Sequence, residues 1–228
     1  MTLSQEQTEL LRHAIQDYAF PPDLYDFIKK SCDHQPNTKG VETRIKADLT
    51  SGDWERVKDG LSNVLFWGWA QKQGRRRVRV EHFRVTATES QLRRAVRLFE
   101  QCPRPSLLEI KQLKLPEFSG ISFVSKVRMF LDPENSVTFD RQIMKIIGAF
   151  PATLRATFQA FESSTQIRIT KESSNAYEHW CEKMREASDR YFNRQFRAVD
   201  VERGLFQLIQ VDKAAIAAEI LKACCDDS

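Results

Sequence analysis

One stretch of the sequence, residues 107–143, combines a device that could hold a phosphate with a lone acidic residue that could do chemistry. Gly120 lies in a short turn between two helical patterns, where the missing Cβ lets the backbone pass close to a phosphate. The helix that follows would present free N–H groups and the positive end of its dipole to that phosphate. Lys126, one turn further on, would add a charge-assisted contact. Such a device holds DNA by its backbone and does not read the base sequence.

The hairpin and the Asp after it resemble the helix-hairpin-helix DNA glycosylase superfamily. In that family the hairpin reads roughly Leu-Pro-Gly-Val-Gly, and an Asp follows at a characteristic interval, at the mouth of the base pocket. The corresponding stretches here are Phe118-Ser119-Gly120-Ile121-Ser122 and Val137-Thr138-Phe139-Asp140-Arg141-Gln142-Ile143. The segment from Arg197 to Phe206 also resembles the C-terminal part of bacterial relatives. The resemblance covers the central third of the chain well and the rest loosely.

Two registers of the hairpin are open. If Gly120 is the first family glycine, Ser122 replaces the second; if Gly120 is the second, Phe118 replaces the first, and this register better fits the interval to the aspartate. Bifunctional members carry a Schiff-base lysine at a position that is Val124 or Ser122 here, and Lys126 lies off both registers. The four-Cys iron–sulfur loop of some members is missing. The resemblance therefore implies a monofunctional glycosylase, or a relative that kept the fold and lost the chemistry.

The resemblance implies that Asp140 is the catalytic carboxylate. Cleavage of an N-glycosidic bond develops positive charge on the sugar, which a desolvated carboxylate stabilises while it positions or deprotonates the attacking water. The base must first leave the stack, and aromatic side chains commonly fill the gap or stack on the extruded base. The candidates for those roles are Trp67, Trp69, Tyr177 and Trp180. No metal and no cofactor are expected.

Contacts with double-stranded DNA are expected from two parts of the chain. The hairpin and the helix after it would supply Phe118, Gly120, Ser122, Ser125 and Lys126. The second part is a basic run that contains Arg75, Arg76, Arg77 and Arg79. The alternation over residues 75–83 predicts a brief strand or extended arm. We interpret this arm as a phosphate contact; the alternative is a solvated edge strand.

Each assignment has an ordinary structural alternative. An Asp before a helix is usually an N-cap, worth about 1 kcal/mol; the upstream hairpin and the interval favour catalysis for Asp140. Tryptophans in helical patterns usually pack in a core. Helix-hairpin-helix units also serve as non-catalytic DNA clamps, which is the second hypothesis for this chain. A helical protein-interaction domain with a coincidental hairpin is the third.

Composition limits the class of protein. The chain has 228 residues, of which 41% are hydrophobic, and a modest net charge of +4 that permits a polyanionic partner. The five cysteines contain no CxxC pair and the four histidines no ligand pattern, which argues against zinc fingers and disulfide frameworks. The N-terminus lacks signal-peptide features, and no apolar run could span a bilayer. We expect a cytoplasmic monomer without membrane contact, nucleoid-associated if the source is bacterial.

Helical periodicity predicts an all-α fold that has room for one short strand pair. We expect a single glycosylase-like domain over residues 1–228, in which two helical lobes pack closely with the DNA site in the cleft, and the helix-hairpin-helix lies at about 106–131. Helices are predicted to begin after the caps Ser4 and Thr88 or Ser90. Two more are predicted from about Asp53 to about Gln73 and from about Ser106 to Leu113. Further helices are predicted near 22–28, 122–131, 141–150, 151–161, 173–194, 199–209 and 213–223, with a loop at 32–40 and a turn at 132–135.

Overall fold

The computed structural model describes residues 2–161, 164 and 166–225. In this part of the chain there are 12 helices and one two-stranded sheet, so the predicted all-α class is confirmed. The strands β1 (Asp23–Asp26) and β2 (Ser31–His34) pair antiparallel. The helices are α1 (Gln5–Gln16), α2 (Thr38–Leu49), α3 (Trp54–Gly68), α4 (Gln73–Thr86), α5 (Glu89–Gln101), α6 (Leu107–Gln112), α7 (Ile121–Leu131), α8 (Ala152–Gln159), α9 (Lys171–Phe192), α10 (Ala198–Gln210) and α11 (Ala214–Cys225), with a 3₁₀ helix at Ile143–Ala149.

The chain divides into two compact units. The central unit is the continuous segment 20–132, and the terminal unit combines residues 1–19 with residues 133–228. The helix-hairpin-helix segment therefore belongs to the central unit, whereas Asp140 belongs to the terminal unit.

The core of the central unit is built around α3. This helix begins at Asp53, whose carboxylate accepts a hydrogen bond of 2.8 Å from the Glu55 N–H. Its buried face carries Val57, Leu61, Val64 and Leu65 at helical spacing. The helix packs against α2, α4, α5 and α7. It approaches α7 so closely that a Cβ on Gly68 would lie 2.6 Å from Cε1 of Phe123. A side chain at Gly68 would push away the helix that follows the hairpin.

The terminal unit packs around the long helix α9. Tyr177, Trp180 and Met184 of this helix are fully buried, and α9 contacts α8, α10 and α11. The N-terminal helix α1 lies on α10, where a Cβ on Gly204 would be 2.7 Å from Cγ1 of Ile15. Two segments that are almost 200 residues apart in sequence therefore share one core.

Residues 22–28 form strand β1 and the turn after it, so the helix predicted there is wrong. The side chain of Asn63 explains the difference, because its Oδ1 accepts from the Tyr25 N–H at 2.8 Å and its Nδ2 donates to the Tyr25 carbonyl at 3.2 Å. This partner lies on α3, far along the sequence, and a local pattern cannot reveal it. The loop predicted at 32–40 likewise contains most of β2 and the start of α2.

The brief strand or arm predicted for residues 75–83 is also wrong, since these residues lie within helix α4. Val80 and Phe83 are buried three positions apart, which is helical spacing. Val78 and Val85 remain exposed. The alternation of arginine and valine therefore does not reflect a two-residue burial period. In the segment predicted as a helix near 141–150, the regular part is a 3₁₀ helix.

Candidate nucleic-acid site

The segment predicted as a helix-hairpin-helix consists of α6, an eight-residue connection and α7. Helix α6 begins at Ser106, as predicted, in a capping box with Glu109. Helix α7 begins after Gly120, its N-cap residue, which has no side chain that could cap the helix. The left-handed residues of the connection are Lys114 (φ 54°) and Glu117 (φ 68°), whereas Gly120 is extended at φ −115°. Other residues can adopt that conformation, so Gly120 is not required here by its φ angle.

Glu117 ties the hairpin to α4. Its carboxylate lies 3.0 Å from Nη1 of Arg79 and 2.7 Å from Nδ1 of His82. The left-handed backbone of a non-glycine residue costs roughly 1–2 kcal/mol, and these contacts help to hold it. Arg79, predicted to bind phosphate, therefore already faces a carboxylate of its own chain. Sequence reasoning missed Glu117 because its partners are 35 and 38 positions away.

The other three arginines of the basic run on α4 differ in their surroundings. Arg76 donates from Nε to the Phe66 carbonyl at 2.8 Å, and its guanidinium lies 3.2 Å over the centre of the Phe66 ring. Burial lowers the pKa of Arg76, and we interpret its role as packing. Arg75 and Arg77 are exposed, and neither side chain forms an ion pair within the described residues. Of the four arginines predicted to contact phosphate, these two are placed best for a polyanion.

We therefore expect the double change Arg75→Ala/Arg77→Ala to reduce the slope of log affinity for duplex DNA against log salt by about 1.8, since each lost phosphate contact removes about 0.9. Fluorescence anisotropy with a labelled duplex at several salt concentrations measures this slope. Arg93→Ala is the matched control, because Arg93 on α5 is equally exposed but already pairs with Glu89 at 2.7 Å. An unchanged slope in the double variant would mean that α4 faces away from DNA.

Three side chains predicted to contact DNA from the hairpin region are buried. Phe118 is 1% exposed and packs edge-on against Phe83. Ser125 is fully buried. Lys126 is 6% exposed, and its Nζ donates to the Ser122 carbonyl at 3.0 Å. These positions correct the expectation, because a buried side chain cannot reach a phosphate from where it lies. Ser122 is partly exposed in the first turn of α7 and stays a candidate.

Asp140 is positioned as the acceptor at the start of the 3₁₀ helix. Its Oδ1 accepts from the N–H of Gln142 at 2.9 Å and of Ile143 at 3.5 Å. Asp140 therefore acts as a cap at the start of this helix, which is the structural alternative to a catalytic role. A carboxylate is also the group that would stabilise positive charge on a sugar. The cap and the catalytic role are compatible.

The segment before Asp140 is held by the two buried aromatic residues of α9. The Tyr177 hydroxyl donates to the Val137 carbonyl at 2.8 Å, and Nε1 of Trp180 donates to the Thr138 carbonyl at 3.1 Å. Phe139 is fully buried against Trp180 and Phe158, with ring centres 6.0 Å and 4.2 Å away. The backbone is thus fixed up to the residue that precedes Asp140.

This arrangement corrects the base-pocket assignments of Tyr177 and Trp180, because both rings are enclosed in the core and their polar atoms are engaged. Trp67 is also a core residue, packed against Phe20 and Phe130 with ring centres 4.6 and 5.2 Å away. Trp69 alone of the four candidates is partly exposed; its ring lies 5.3 Å from that of Phe123. It remains the candidate for stacking on a base.

Tyr18 is a further polar group of the terminal unit, and no pattern in the sequence assigns it to the site. The guanidinium of Arg203 lies 5.3 Å from the centre of its ring. The side chain is half-buried as a whole, but its hydroxyl is enclosed. Burial raises the pKa of Tyr18 well above its usual value; Arg203 opposes this, and the negative charges of Glu202 and Asp140 add to it. The Tyr18 hydroxyl therefore stays protonated at neutral pH.

Comparison with known proteins gives no further assignment. No family model, curated protein or solved structure matches the chain. Among the described residues, no helix is both long and apolar enough to cross a membrane. No group of three or more His, Cys, Asp or Glu side chains in the described ranges is arranged to hold a metal ion.

Proposed function

We propose that this protein is a monofunctional DNA N-glycosylase that removes a damaged or modified base from duplex DNA, in repair or in defence against modified foreign DNA. The observation that carries the proposal is the pair of helices α6 and α7 joined by a short connection, in which the N-cap residue of the second helix is a glycine without a capping side chain. Uncapped N–H groups at a helix start are a ready site for a phosphate oxygen. Asp140 supplies the carboxylate that the chemistry needs.

In the proposed reaction water replaces the base at C1′ of the sugar. The N-glycosidic bond breaks with its electron pair going to the base, and the developing charge on the sugar is stabilised by ionised Asp140. The same carboxylate accepts a proton from the attacking water as the new C1′–O bond forms. The leaving base takes up a proton from solvent.

The decisive experiment is incubation of the protein with duplexes that carry a panel of damaged and modified bases. Alkaline cleavage then reveals any abasic site. Excision of at least one base, lost in Asp140→Asn, supports the proposal. Tight binding to duplex DNA without excision of any base would favour the non-catalytic alternative. That alternative has one observation in its favour, because the Asp140 carboxylate already serves as a helix cap. Failure to bind DNA at all would favour the protein-interaction hypothesis.

A change at Gly120 tests the hairpin. Gly120 is buried but extended, and aspartate is a favoured residue before a helix, so circular dichroism must first show that Gly120→Asp is folded. The added charge near a phosphate should weaken binding to every DNA sequence alike, by about 1 kcal/mol or more, or at least about fivefold. Electrophoretic mobility shifts on two unrelated duplexes measure this loss. Gly148→Asp is the control, since a Cβ at Gly148 meets open space. Unchanged affinity in folded Gly120→Asp would remove the hairpin from the interface.

Borohydride trapping tests the monofunctional assignment. A lysine that attacks C1′ forms a Schiff base, which borohydride reduces to a stable protein–DNA adduct. Lys126 lies off the family position and its Nζ is engaged with the Ser122 carbonyl. We therefore expect no covalent adduct on denaturing gels, even with a duplex that contains a base the protein excises. A trapped band that disappears in Lys126→Gln would show that the enzyme is bifunctional.

A further inference from the structure

The chain just before Asp140 is buried but irregular. Residues 136–139 are buried and lie in neither a helix nor a strand, whereas Asp140 itself is partly exposed. A buried backbone must still pair its N–H and carbonyl groups. Because a regular ladder does not pair them here, the groups that supply the partners decide the course of the chain toward Asp140.

Two fully buried side chains of α9 hold the middle of this segment. The Tyr177 hydroxyl donates to the Val137 carbonyl at 2.8 Å, and Nε1 of Trp180 donates to the Thr138 carbonyl at 3.1 Å. Since both bonds are buried, a carbonyl that loses its donor is left in a dry surrounding at a cost in free energy. These two bonds therefore constrain the chain more strongly than exposed bonds would.

The turn before this segment is held in the same way. Nη1 of Arg185, also on α9, donates to the Asn135 carbonyl at 3.3 Å. The N–H of Ala198, at the start of α10, donates to the Glu134 carbonyl at 3.4 Å. Four carbonyls between residues 134 and 138 thus accept from two helices that come much later in the sequence.

The chain after Asp140 is fixed to the same helix. Phe150 follows the 3₁₀ helix, and its ring stacks on that of Trp180 with ring centres 5.1 Å apart and planes at 17°. The ring of Phe139 lies 6.0 Å from that of Trp180 and 5.9 Å from that of Phe150. The residue before Asp140 and the residue after the 3₁₀ helix therefore meet on one indole ring, and Asp140 lies in the loop that this contact closes.

We infer that Tyr177 and Trp180 are positioning residues, which fix the Asp140 carboxylate at the place where charge develops on the sugar. The inference rests on the proposed function in giving Asp140 its catalytic role. A carboxylate that is held in advance needs no reorganisation when the charge appears. Misplacement of a reacting group by about 1 Å costs on the order of a hundredfold in rate. The two hydrogen bonds therefore contribute to the rate of excision, although both side chains are enclosed in the core.

Tyr177→Phe tests this role. The change deletes the hydroxyl that binds the Val137 carbonyl and leaves the ring in the core. We expect the single-turnover rate constant for excision to fall at least about tenfold, while the dissociation constant for duplex DNA stays within about twofold of wild type. A merely structural role would lower the folded fraction, and with it the amplitude of the reaction, but not the rate constant.

Tyr191→Phe is the matched control. The Tyr191 hydroxyl also lies on α9 and donates to a backbone carbonyl, that of Ala223 at 3.2 Å, but Ala223 belongs to α11. This change should leave both the rate constant and the DNA affinity as in wild type. Equal rate constants for Tyr177→Phe and Tyr191→Phe would overturn the positioning role of Tyr177.

Hydrogen exchange in the free protein provides a readout that needs no DNA. The N–H groups of Gln142 and Ile143 donate to Oδ1 of Asp140 at 2.9 and 3.5 Å, so their exchange reports on where the carboxylate lies. Exchange of the Gln142 N–H should be at least about tenfold faster in Tyr177→Phe than in wild type or Tyr191→Phe. Unchanged exchange would overturn the inference.

The two measurements separate this inference from the proposed function. If the wild type excises a base and Tyr177→Phe does so with the same rate constant, only the inference fails. If the wild type excises nothing, the enzymatic proposal fails, and the exchange of the Gln142 N–H still decides whether Tyr177 positions Asp140. If Tyr177→Phe does not fold, Trp180→Phe replaces it in both measurements with the same expected results, since it loses the hydrogen bond to the Thr138 carbonyl but keeps an aromatic ring.

Discussion

Asp140→Asn is expected to slow base excision by at least about a hundredfold, because the change removes the negative charge that stabilises the sugar in the transition state. The amide oxygen of asparagine can still accept from the N–H groups of Gln142 and Ile143. The free energy of unfolding should therefore change by no more than about 1 kcal/mol. DNA affinity should be equal or higher, since one negative charge near the phosphates is gone. Single-turnover excision measures the rate, and urea unfolding measures the stability.

Asp53→Asn provides the matched control. Asp53 also accepts a backbone N–H at a helix start, that of Glu55 at 2.8 Å, but no catalytic role is assigned to it. Its replacement should leave excision at the wild-type rate. Wild-type excision by Asp140→Asn would show that Asp140 is only a helix cap.

Trp180→Ala is expected to destabilise the terminal unit by about 3–5 kcal/mol, as is typical when a fully buried large aromatic is truncated. The variant loses the stacking on Phe150, whose ring centre is 5.1 Å away, and the hydrogen bond to the Thr138 carbonyl. Loss of this bond also frees the backbone close to Asp140, so excision should fall in whatever fraction of the protein stays folded. Urea denaturation followed by circular dichroism measures the change in stability.

Trp54→Ala is the comparison for that measurement, because Trp54 is only partly buried at the start of α3. Its truncation should cost clearly less than that of Trp180. If both changes cost the same, the deep burial of Trp180 is not realised in solution. Its ring would then again be a candidate for the base pocket.

Helix positions were predictable where the signal is local. Ser4, Thr88 and Ser106 each cap a helix through the spacing of three residues that a capping box requires. The β-hairpin was not predictable in this way, because Asn63 on another element fixes Tyr25. Local apolar spacing is compatible with both a short helix and a strand when the segment is only a few residues long.

The candidate site was only partly predictable, because several of its contacts join residues that are far apart in sequence. The position of Asp140 before a helix follows from its neighbours in sequence. The surroundings of Phe118, Lys126 and Trp180 do not, because helical periodicity shows that a side chain faces inward but not which groups it meets there. Glu117 meets Arg79 and His82 only because the connection before α7 packs against α4, and no local pattern in the sequence shows this packing.

Because the terminal unit combines residues 1–19 with residues 133–228, it cannot be completed until the second of these segments has been translated. Helix α1 packs on α10, which leaves the ribosome only after more than 180 further residues have been joined. At about 5–20 residues per second this delay is roughly ten to forty seconds. During that time the central unit is synthesised completely, and the apolar face of α1, with Leu11 and Ala14, has no α10 to cover it. The nascent chain is then a natural client for chaperones that bind short apolar helices.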